Sequence, residues 1–278
     1  MIALHARRSR SAIAAWKSAR PERALVVALT GTDLYRDLPA GDAPTRDSIA
    51  DADRLIALQS DALRHLPPSM RPKTDVVYQS ASALVPFARK SRDRLHCLLV
   101  AHLREEKDPR TVFDAWRRLP RDLPATLSIV GAALDPVLGD AARALAGQDR
   151  RVQVLGARPH AWTRQAFKRA HLLIVPSRME GGANVVVEAV TAGTPVLASR
   201  MSGNLGMLGD DYPGYFAVGD AHSLAAAIVR AQRDAAFIAS LNEQCASRAR
   251  LFSPGAERAA LAVVVERALV SAASRMTS

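Results

Sequence analysis

The sequence predicts an α/β fold in which parallel strands alternate with helices in two doubly wound lobes. Short aliphatic runs, each closed by Gly, Ser, Thr or His, recur along the chain and are typical of buried parallel strands. Longer amphipathic segments with helical periodicity separate most of these runs. A polar, proline-containing stretch at residues 85–91 divides the chain in two.

These runs define the elements in order. The predicted strands cover residues 2–6, 25–29, 55–58, 76–78, 95–100, 127–130, 152–155, 172–175 and 195–198. The predicted helices cover residues 11–18, 110–119, 136–146, 161–170, 184–192 and 255–273. Asp51 and Asp53 have the spacing of a metal-binding Asp-x-Asp pair, but they precede a strand and are interpreted as a helix end.

The domain organisation follows from the break. Residues 1–88 form a first Rossmann-like lobe, residues 89–254 form a second, and residues 255–278 form a helix that can cross back onto the first. The first lobe is short and lacks the opening strand and glycine-rich turn of a doubly wound half. We therefore expect it to be N-terminally incomplete, with further residues upstream of the printed start.

Composition narrows the function classes. Among 278 residues, 38 Lys and Arg stand against 27 Asp and Glu, a formal net charge of +11, yet the arginines are scattered and form no tract. Aromatic residues make up only 5%, so we expect no nucleic-acid partner. The chain contains no apolar run of 18 residues, so no membrane-spanning helix is predicted. The 2 cysteines are too few for a disulfide scaffold, so we expect a cytoplasmic protein; the oligomeric state stays open.

The most informative window is the loop that follows the strand-like run ending at Val175. Side-chain-free glycines allow close approach to a ligand, and the N–H groups at a helix start favour phosphate. Glu180 in the loop and Glu188 in the helix can accept hydrogen bonds from sugar and ribose hydroxyls on opposite sides of one diphosphate. The alternative is a plain turn followed by a solvated glutamate. The predicted donor-binding residues are Gly181, Gly182, Ala183, Asn184 and Glu188, with Glu180 as a catalytic candidate.

The pattern from Ser177 through the two glutamates to Gly193-Thr194-Pro195 resembles the signature of the GT4-type retaining glycosyltransferases of GT-B fold. In that family two glutamates are separated by seven residues, as Glu180 and Glu188 are here. The resemblance implies a UDP-sugar donor bound by the second lobe, an acceptor bound by the first, and no metal ion or other cofactor.

A second window, Leu99 to Pro109, resembles the family's Val-Gly-Arg-Leu segment. Lys107 matches the lysine that neutralises the donor diphosphate in the family. Ala101, His102 and Asp108 replace glycine, arginine and glycine. His102 can stand in for the arginine if it is protonated or donates a hydrogen bond; the alternative is a structural strand-end histidine.

In the first lobe, Thr30-Gly31-Thr32-Asp33 stands where the family often has His-Gly-x-Asp near the transferred sugar. Asp33 is therefore a further catalytic candidate, and Gly31 and Thr32 are acceptor-side candidates. The alternative is a glycine turn that Asp33 caps.

Four segments together resemble one subgroup, the selenosugar synthases of selenoneine biosynthesis: residues 5–9, 29–37, 76–80 and 102–109. That resemblance implies transfer of a sugar, GlcNAc in the leading interpretation, from its UDP donor to selenophosphate. Arg7 and Arg8 beside a helix start can receive such a small tetrahedral anion. The alternative is that both arginines are exposed loop charges.

Three other functions stay open at this stage. A GT4 enzyme can use a different acceptor, and a sugar-nucleotide isomerase can share the GT-B fold and phosphate site. The short first lobe also leaves open a nucleotide-binding protein without catalysis.

Overall fold

The computed structural model describes residues 1–87, 90 and 93–277. The predicted lobe boundary between residues 88 and 89 lies outside the described residues. The strands are β1 (Ile2–Leu4), β2 (Val26–Leu29), β3 (Arg54–Ala57), β4 (Thr74–Val76), β5 (Leu95–Val100), β6 (Ala125–Val130), β7 (Val152–Gly156), β8 (Leu172–Val175), β9 (Val196–Ser199) and β10 (Tyr215–Phe216). The helices are α1 (Arg10–Ala19), α2 (Ala43–Asp51), α3 (Pro109–Arg118), α4 (Pro136–Gln148), α5 (His160–Arg169), α6 (Asn184–Thr191), α7 (Ser202–Leu208), α8 (Ala221–Arg233), α9 (Ala235–Ala249) and α10 (Pro254–Thr277).

Contacts group the residues into two units. The first contains Met1–Ser80, the loop Met179–Ala183 and the chain from Leu251 onward. The second contains Ala81–Arg178 and Asn184–Arg250.

The first unit is built on a parallel sheet of order β1-β2-β3-β4. Successive side chains of its strands point to opposite faces of the sheet and pack into two separate hydrophobic cores. Val27 and Leu29 of β2 pack with Ile13 of α1 and Ile49 of α2. Their neighbours in β2 pack instead against α10, whose buried residues in that core are Val264 and Ala268. The C-terminal helix therefore covers one face of this sheet.

The second unit contains a parallel sheet of order β10-β9-β8-β5-β6-β7. Strands β8 and β9 are buried along their whole length, as expected for the aliphatic residues of β8 and the first three residues of β9. Parallel neighbours need crossover connections, and helices α3, α4 and α6 supply them between successive strands.

The predicted α/β class with parallel sheets is confirmed, with corrections to single elements. The first strand ends at Leu4 rather than at residue 6, because His5 has a left-handed backbone with φ of 73°. The fourth strand lies at Thr74–Val76 rather than at 76–78. The interpretation of Asp51 as a helix end is confirmed, because α2 ends there. No element is predicted for residues 202–249, where α7, β10, α8 and α9 form. No helix in the described part of the chain combines the length and apolarity that a membrane crossing requires.

A pair of adjacent valines tests the packing of α10. Val264 is 1% exposed and Val263 is 43% exposed. Val264→Ala removes buried methyl groups, so we expect it to lower the free energy of unfolding by about 1–3 kcal/mol. Val263→Ala is the matched control, with an expected change within about 0.5 kcal/mol. Urea denaturation measures both, and equal losses would contradict the placement of α10.

Candidate functional site

The strand order of the second unit reverses between β5 and β8. From β5 the chain moves outward to β6 and β7, then returns to β8 on the other side of β5 and continues to β9 and β10. In open parallel sheets, ligands bind at the carboxyl ends of the two strands on either side of such a reversal, where the loops diverge. Here those are the loops after β5 and after β8, and both carry residues singled out in the sequence.

The loop after β5 holds His102 in a defined tautomer. Its Nδ1 accepts a hydrogen bond of 3.1 Å from the N–H of Ala132, just beyond β6. In the neutral ring the proton is therefore on Nε2, which is a donor. His102 is exposed, so this donor is within reach of a ligand.

Lys107 ends a short 3-10 turn, Glu105–Lys107, and is half-buried. Asp108 follows with a left-handed backbone, φ 43°, a conformation that glycine adopts without strain. Aspartate tolerates this conformation better than most residues. Its buried carboxylate also accepts a 2.8 Å hydrogen bond from Thr111 and pairs with Arg178 at 3.0 Å.

Arg178 joins the loops after β5 and β8. Its backbone N–H donates to the carbonyl of Glu106 at 2.9 Å, while its side chain pairs with Asp108. These two bonds hold the Lys107 turn beside the segment that follows β8. The reversal of the strand order is thus reinforced by direct contacts between the two loops.

Glu188 lies inside α6 and is only 6% exposed. Its Oε1 is hydrogen-bonded to Nε2 of His160, the first residue of α5. His160 is itself highly exposed, with 75% of its side-chain surface accessible. A buried carboxylate thus has an exposed partner that a ligand can displace. Asn184, at the start of the same helix, is exposed.

Arg164, one turn after His160 on α5, supports α6 from the same side. Its Nη1 donates to the carbonyl of Glu188 at 2.8 Å, and its Nη2 donates to the carbonyl of Ser82. Burial lowers the pKa of the guanidinium, and the negative charge of Glu188 opposes that shift. Sequence reasoning missed both residues. The available signal was their four-residue spacing, which places them on one helix face.

The loop Met179–Ala183 groups with the first unit. Glu180 is 8% exposed and Ala183 is 2% exposed. Gly181 lies directly against Gly31: a Cβ on Gly31 would be 2.6 Å from the N of Gly181, and one on Gly181 would be 2.4 Å from the N of Gly31. Only glycine permits this approach of two backbones.

Gly182 lies against Leu58, the first residue after β3. A Cβ on Gly182 would be 2.7 Å from the Cβ of Leu58. The two glycines that the sequence predicted to approach a phosphate are therefore in close contact with protein in the first unit.

Asp33 is fully buried, and its observed role is to fix the turn after β2. One carboxylate oxygen accepts from the N–H and hydroxyl of Thr30, at 2.8 and 2.9 Å. The other accepts from the N–H of Arg7 at 3.2 Å and lies 2.8 Å from Nδ1 of His5. This geometry favours the turn-capping alternative over direct contact with a sugar. A catalytic contact by Asp33 stays a prediction.

The two acceptor-side arginines differ. Arg7 is half-exposed and its guanidinium lies 3.6 Å from both Asp37 and Asp42, which offset its charge. Arg8 is exposed, and no ion pair of its guanidinium is found among residues 1–87, 90 and 93–277. Of the two, Arg8 is the better placed to attract an anion. Thr32, half-buried beside Gly31, precedes a π-helical turn at Asp33–Asp37.

A search of the same described residues finds no group of three or more His, Cys, Asp or Glu side chains placed to hold a metal ion.

The strand orders define a doubly wound α/β protein with parallel sheets in two units. The family described as "Glycosyl transferases group 1" matches residues 86–252, more than half of the chain. The chain therefore belongs to the group 1 glycosyl transferases. The predicted glycosyltransferase class is confirmed at this level, and the resemblance to selenosugar synthases stays a prediction.

Solved structures agree on the fold. Sucrose-phosphate synthase from Thermosynechococcus elongatus is similar with a TM-score of 0.76 at 19% identity, covering 97% of this chain and 73% of its own. HepE of Anabaena, solved with UDP-glucose, has a TM-score of 0.72 at 18% identity, and the match covers 95% of this chain and 77% of HepE. The lipopolysaccharide outer core galactosyltransferase WaaB has a TM-score of 0.71 at 18% identity, and the match covers 95% of this chain and 74% of WaaB. The predicted GT-B class is confirmed.

Two substitutions of Asp108 test its backbone. Both Asp108→Ala and Asp108→Gly remove the carboxylate, but only alanine has a Cβ that opposes the left-handed conformation. We expect Asp108→Ala to be less stable than Asp108→Gly by about 1 kcal/mol. Thermal and urea unfolding measure the difference. An alanine variant as stable as the glycine variant would show that φ at this position is not strained.

Proposed function

We propose that this group 1 glycosyl transferase moves GlcNAc from UDP-GlcNAc to selenophosphate, forming a selenosugar and releasing UDP without a metal ion. The observation that carries the donor half is the junction of the loops after β5 and β8, where Lys107 is held close to the segment that leads into α6. The acceptor half rests on the sequence resemblance and on the exposed guanidinium of Arg8.

Glu188 is proposed to bind the ribose of UDP. Its carboxylate already accepts a hydrogen bond from exposed His160, so ribose hydroxyls can take over as donors without leaving a buried charge unpaired. The complex of HepE with UDP-glucose supports uridine as the nucleoside of the donor.

Lys107 and the N–H groups at the start of α6 are proposed to stabilise the departing diphosphate. An ammonium on a flexible side chain and the N–H groups of a helix start both stabilise developing negative charge. His102 adds a donor, because its Nδ1 is engaged and its Nε2 carries the proton. This arrangement replaces the guanidinium that the resembled family has at that position.

Glu180 is proposed to position the transferred sugar. It is buried at the tip of a loop whose glycine touches Gly31, and Thr32 follows in the turn that carries the acceptor-side residues. Both groups of residues belong to the first unit. We assign selenophosphate to Arg8 before Arg7, because the charge of Arg7 is offset by two aspartates.

Glu188→Gln tests the donor site. The amide keeps the size and one acceptor but loses the charge, so we expect UDP to bind about 10–100-fold more weakly, a loss of roughly 1.4–2.8 kcal/mol. Isothermal titration calorimetry with UDP measures this. Glu243→Gln, at an exposed position on α9, is the control and is expected to bind like the parent. Unchanged affinity in Glu188→Gln would remove the ribose role.

Arg8→Ala and Arg7→Ala test the acceptor site as a matched pair. We expect Arg8→Ala to raise the KM for selenophosphate about tenfold, in line with one lost charge-assisted hydrogen bond, and to leave UDP binding unchanged. Arg7→Ala is expected to change KM less. Steady-state release of UDP from UDP-GlcNAc at varied selenophosphate gives both values. A protein that binds UDP but transfers nothing to selenophosphate would leave the donor half standing and refute the acceptor.

A further inference from the structure

The imidazole of His5 lies beside Asp33 and has one ring nitrogen without a partner among the described residues. His5 follows β1 directly, and its backbone N–H still donates to Ala28 of β2 at 2.9 Å. It is 8% exposed. It therefore lies at the carboxyl end of the first sheet, the edge at which parallel α/β sheets bind ligands.

The Asp33 carboxylate determines which ring nitrogen of His5 carries the proton. Nδ1 lies 2.8 Å from Oδ1 of Asp33, and an ionised carboxylate only accepts hydrogen bonds. The backbone N–H of Arg8 also approaches Nδ1, at 3.4 Å, but the carboxylate is much closer and cannot donate, so we assign Nδ1 as the donor to Asp33. In the neutral ring, Nε2 then has a free lone pair and is the basic atom.

That basic atom is buried and has no hydrogen-bond partner among the described residues. Buried polar atoms are nearly always paired, and one that is not needs an explanation. Six other buried side-chain atoms of the described residues also lack a partner, but none of them is an imidazole nitrogen that can take up a proton.

Two backbone features coincide with it. His5 has φ of 73°, one of only two non-glycine residues with positive φ in the described chain, and such strain concentrates at functional sites. Asp33 begins a π-helical turn, another feature that is frequent at functional sites. Arg8, the proposed anion receptor, comes three residues after His5.

We propose that His5 is the general base of the transfer reaction, oriented by Asp33. This role rests on the proposed function. Nε2 takes the Se–H proton of selenophosphate as the Se–C1 bond forms. The C1–O bond to UDP breaks, and UDP leaves with its electron pair. Asp33 stabilises the imidazolium through the Nδ1–H bond, as carboxylates do in other His–Asp pairs. Because Nε2 is shielded, the loop side chains beside it must move slightly when the acceptor binds.

His5→Asn separates this role from a structural one. Asparagine tolerates a left-handed backbone and can donate its amide N–H to Asp33, but it cannot take up a proton. We expect the variant to bind UDP within about twofold of the parent. The single-turnover rate of UDP release from UDP-GlcNAc with selenophosphate is expected to fall about 10²–10⁴-fold.

His65→Asn is the matched control. His65 also faces an aspartate in the first unit, Asp61 at 3.6 Å, but on an exposed helical turn. Its variant is expected to keep both the UDP affinity and the rate of the parent. A rate in His5→Asn within threefold of the parent would overturn the role of His5.

The tautomer of His5 can be tested in the protein without any substitution, so the result does not depend on the folding of a variant. With ¹⁵N-labelled histidine, we expect the neutral His5 ring to be protonated at Nδ1 and its Nε2 resonance to move when selenophosphate is added to the UDP complex. A ring protonated at Nε2 would overturn the proposal.

The failure of the proposed function has a different signature. A parent chain that binds no UDP refutes the donor site and the role of His5 with it. If UDP binds but selenophosphate accepts no sugar, the same comparison is made with water as the acceptor, through hydrolysis of UDP-GlcNAc. Hydrolysis lost in His5→Asn supports the base, and hydrolysis that is unchanged or absent overturns it.

Discussion

The site depends on one topological constraint, the reversal of strand order between β5 and β8 in a parallel sheet. Parallel strands bring their carboxyl ends to one edge, and right-handed crossovers carry the chain in opposite directions from the reversal. The loops after β5 and β8 therefore leave neighbouring strands at the same edge of the sheet. The bonds from Arg178 to Glu106 and Asp108 stabilise this junction. Lys107 and the start of α6 take their positions from it.

Buried carboxylates organise both units, and each is matched with donors. Asp108 is held by Thr111 and Arg178, Glu188 by His160, and Asp33 by Thr30 and the loop after β1. A buried charge without such partners is costly, so these pairings determine loop positions as firmly as apolar packing does. Glu188 and Asp33 differ in their surroundings, because the partner of Glu188 is exposed and displaceable, whereas Asp33 is fully buried. Glu188 is therefore suited to bind a ligand, and Asp33 is suited to orient a neighbouring side chain.

Local sequence patterns were sufficient for the central strands, whereas the donor-site roles stay predictions. β5 and β8 were predicted to the residue, because continuous aliphatic runs are the signature of strands buried on both faces. The first strand was overextended, since alternation alone does not reveal that His5 turns left-handed. Helices α7 to α9 were not predicted, although α8 packs against α3 and β10 and α9 packs against α6. Arg7 looked equivalent to Arg8 until the positions of Asp37 and Asp42 showed that its charge is offset.

The sequence by itself determined the fold class, the family and the residue types available for donor chemistry, because these follow from periodicity and short motifs. Only the tertiary structure decided which groups act on each other. His160 and Glu188 are 28 residues apart in the chain, and the segments that carry His5 and Asp33 are separated by a whole helix and strand. Contacts of this kind depend on how crossovers return to the sheet, so no local pattern encodes them. The tautomers of His5 and His102 are the clearest cases, since a partner distant in sequence determines which nitrogen holds the proton.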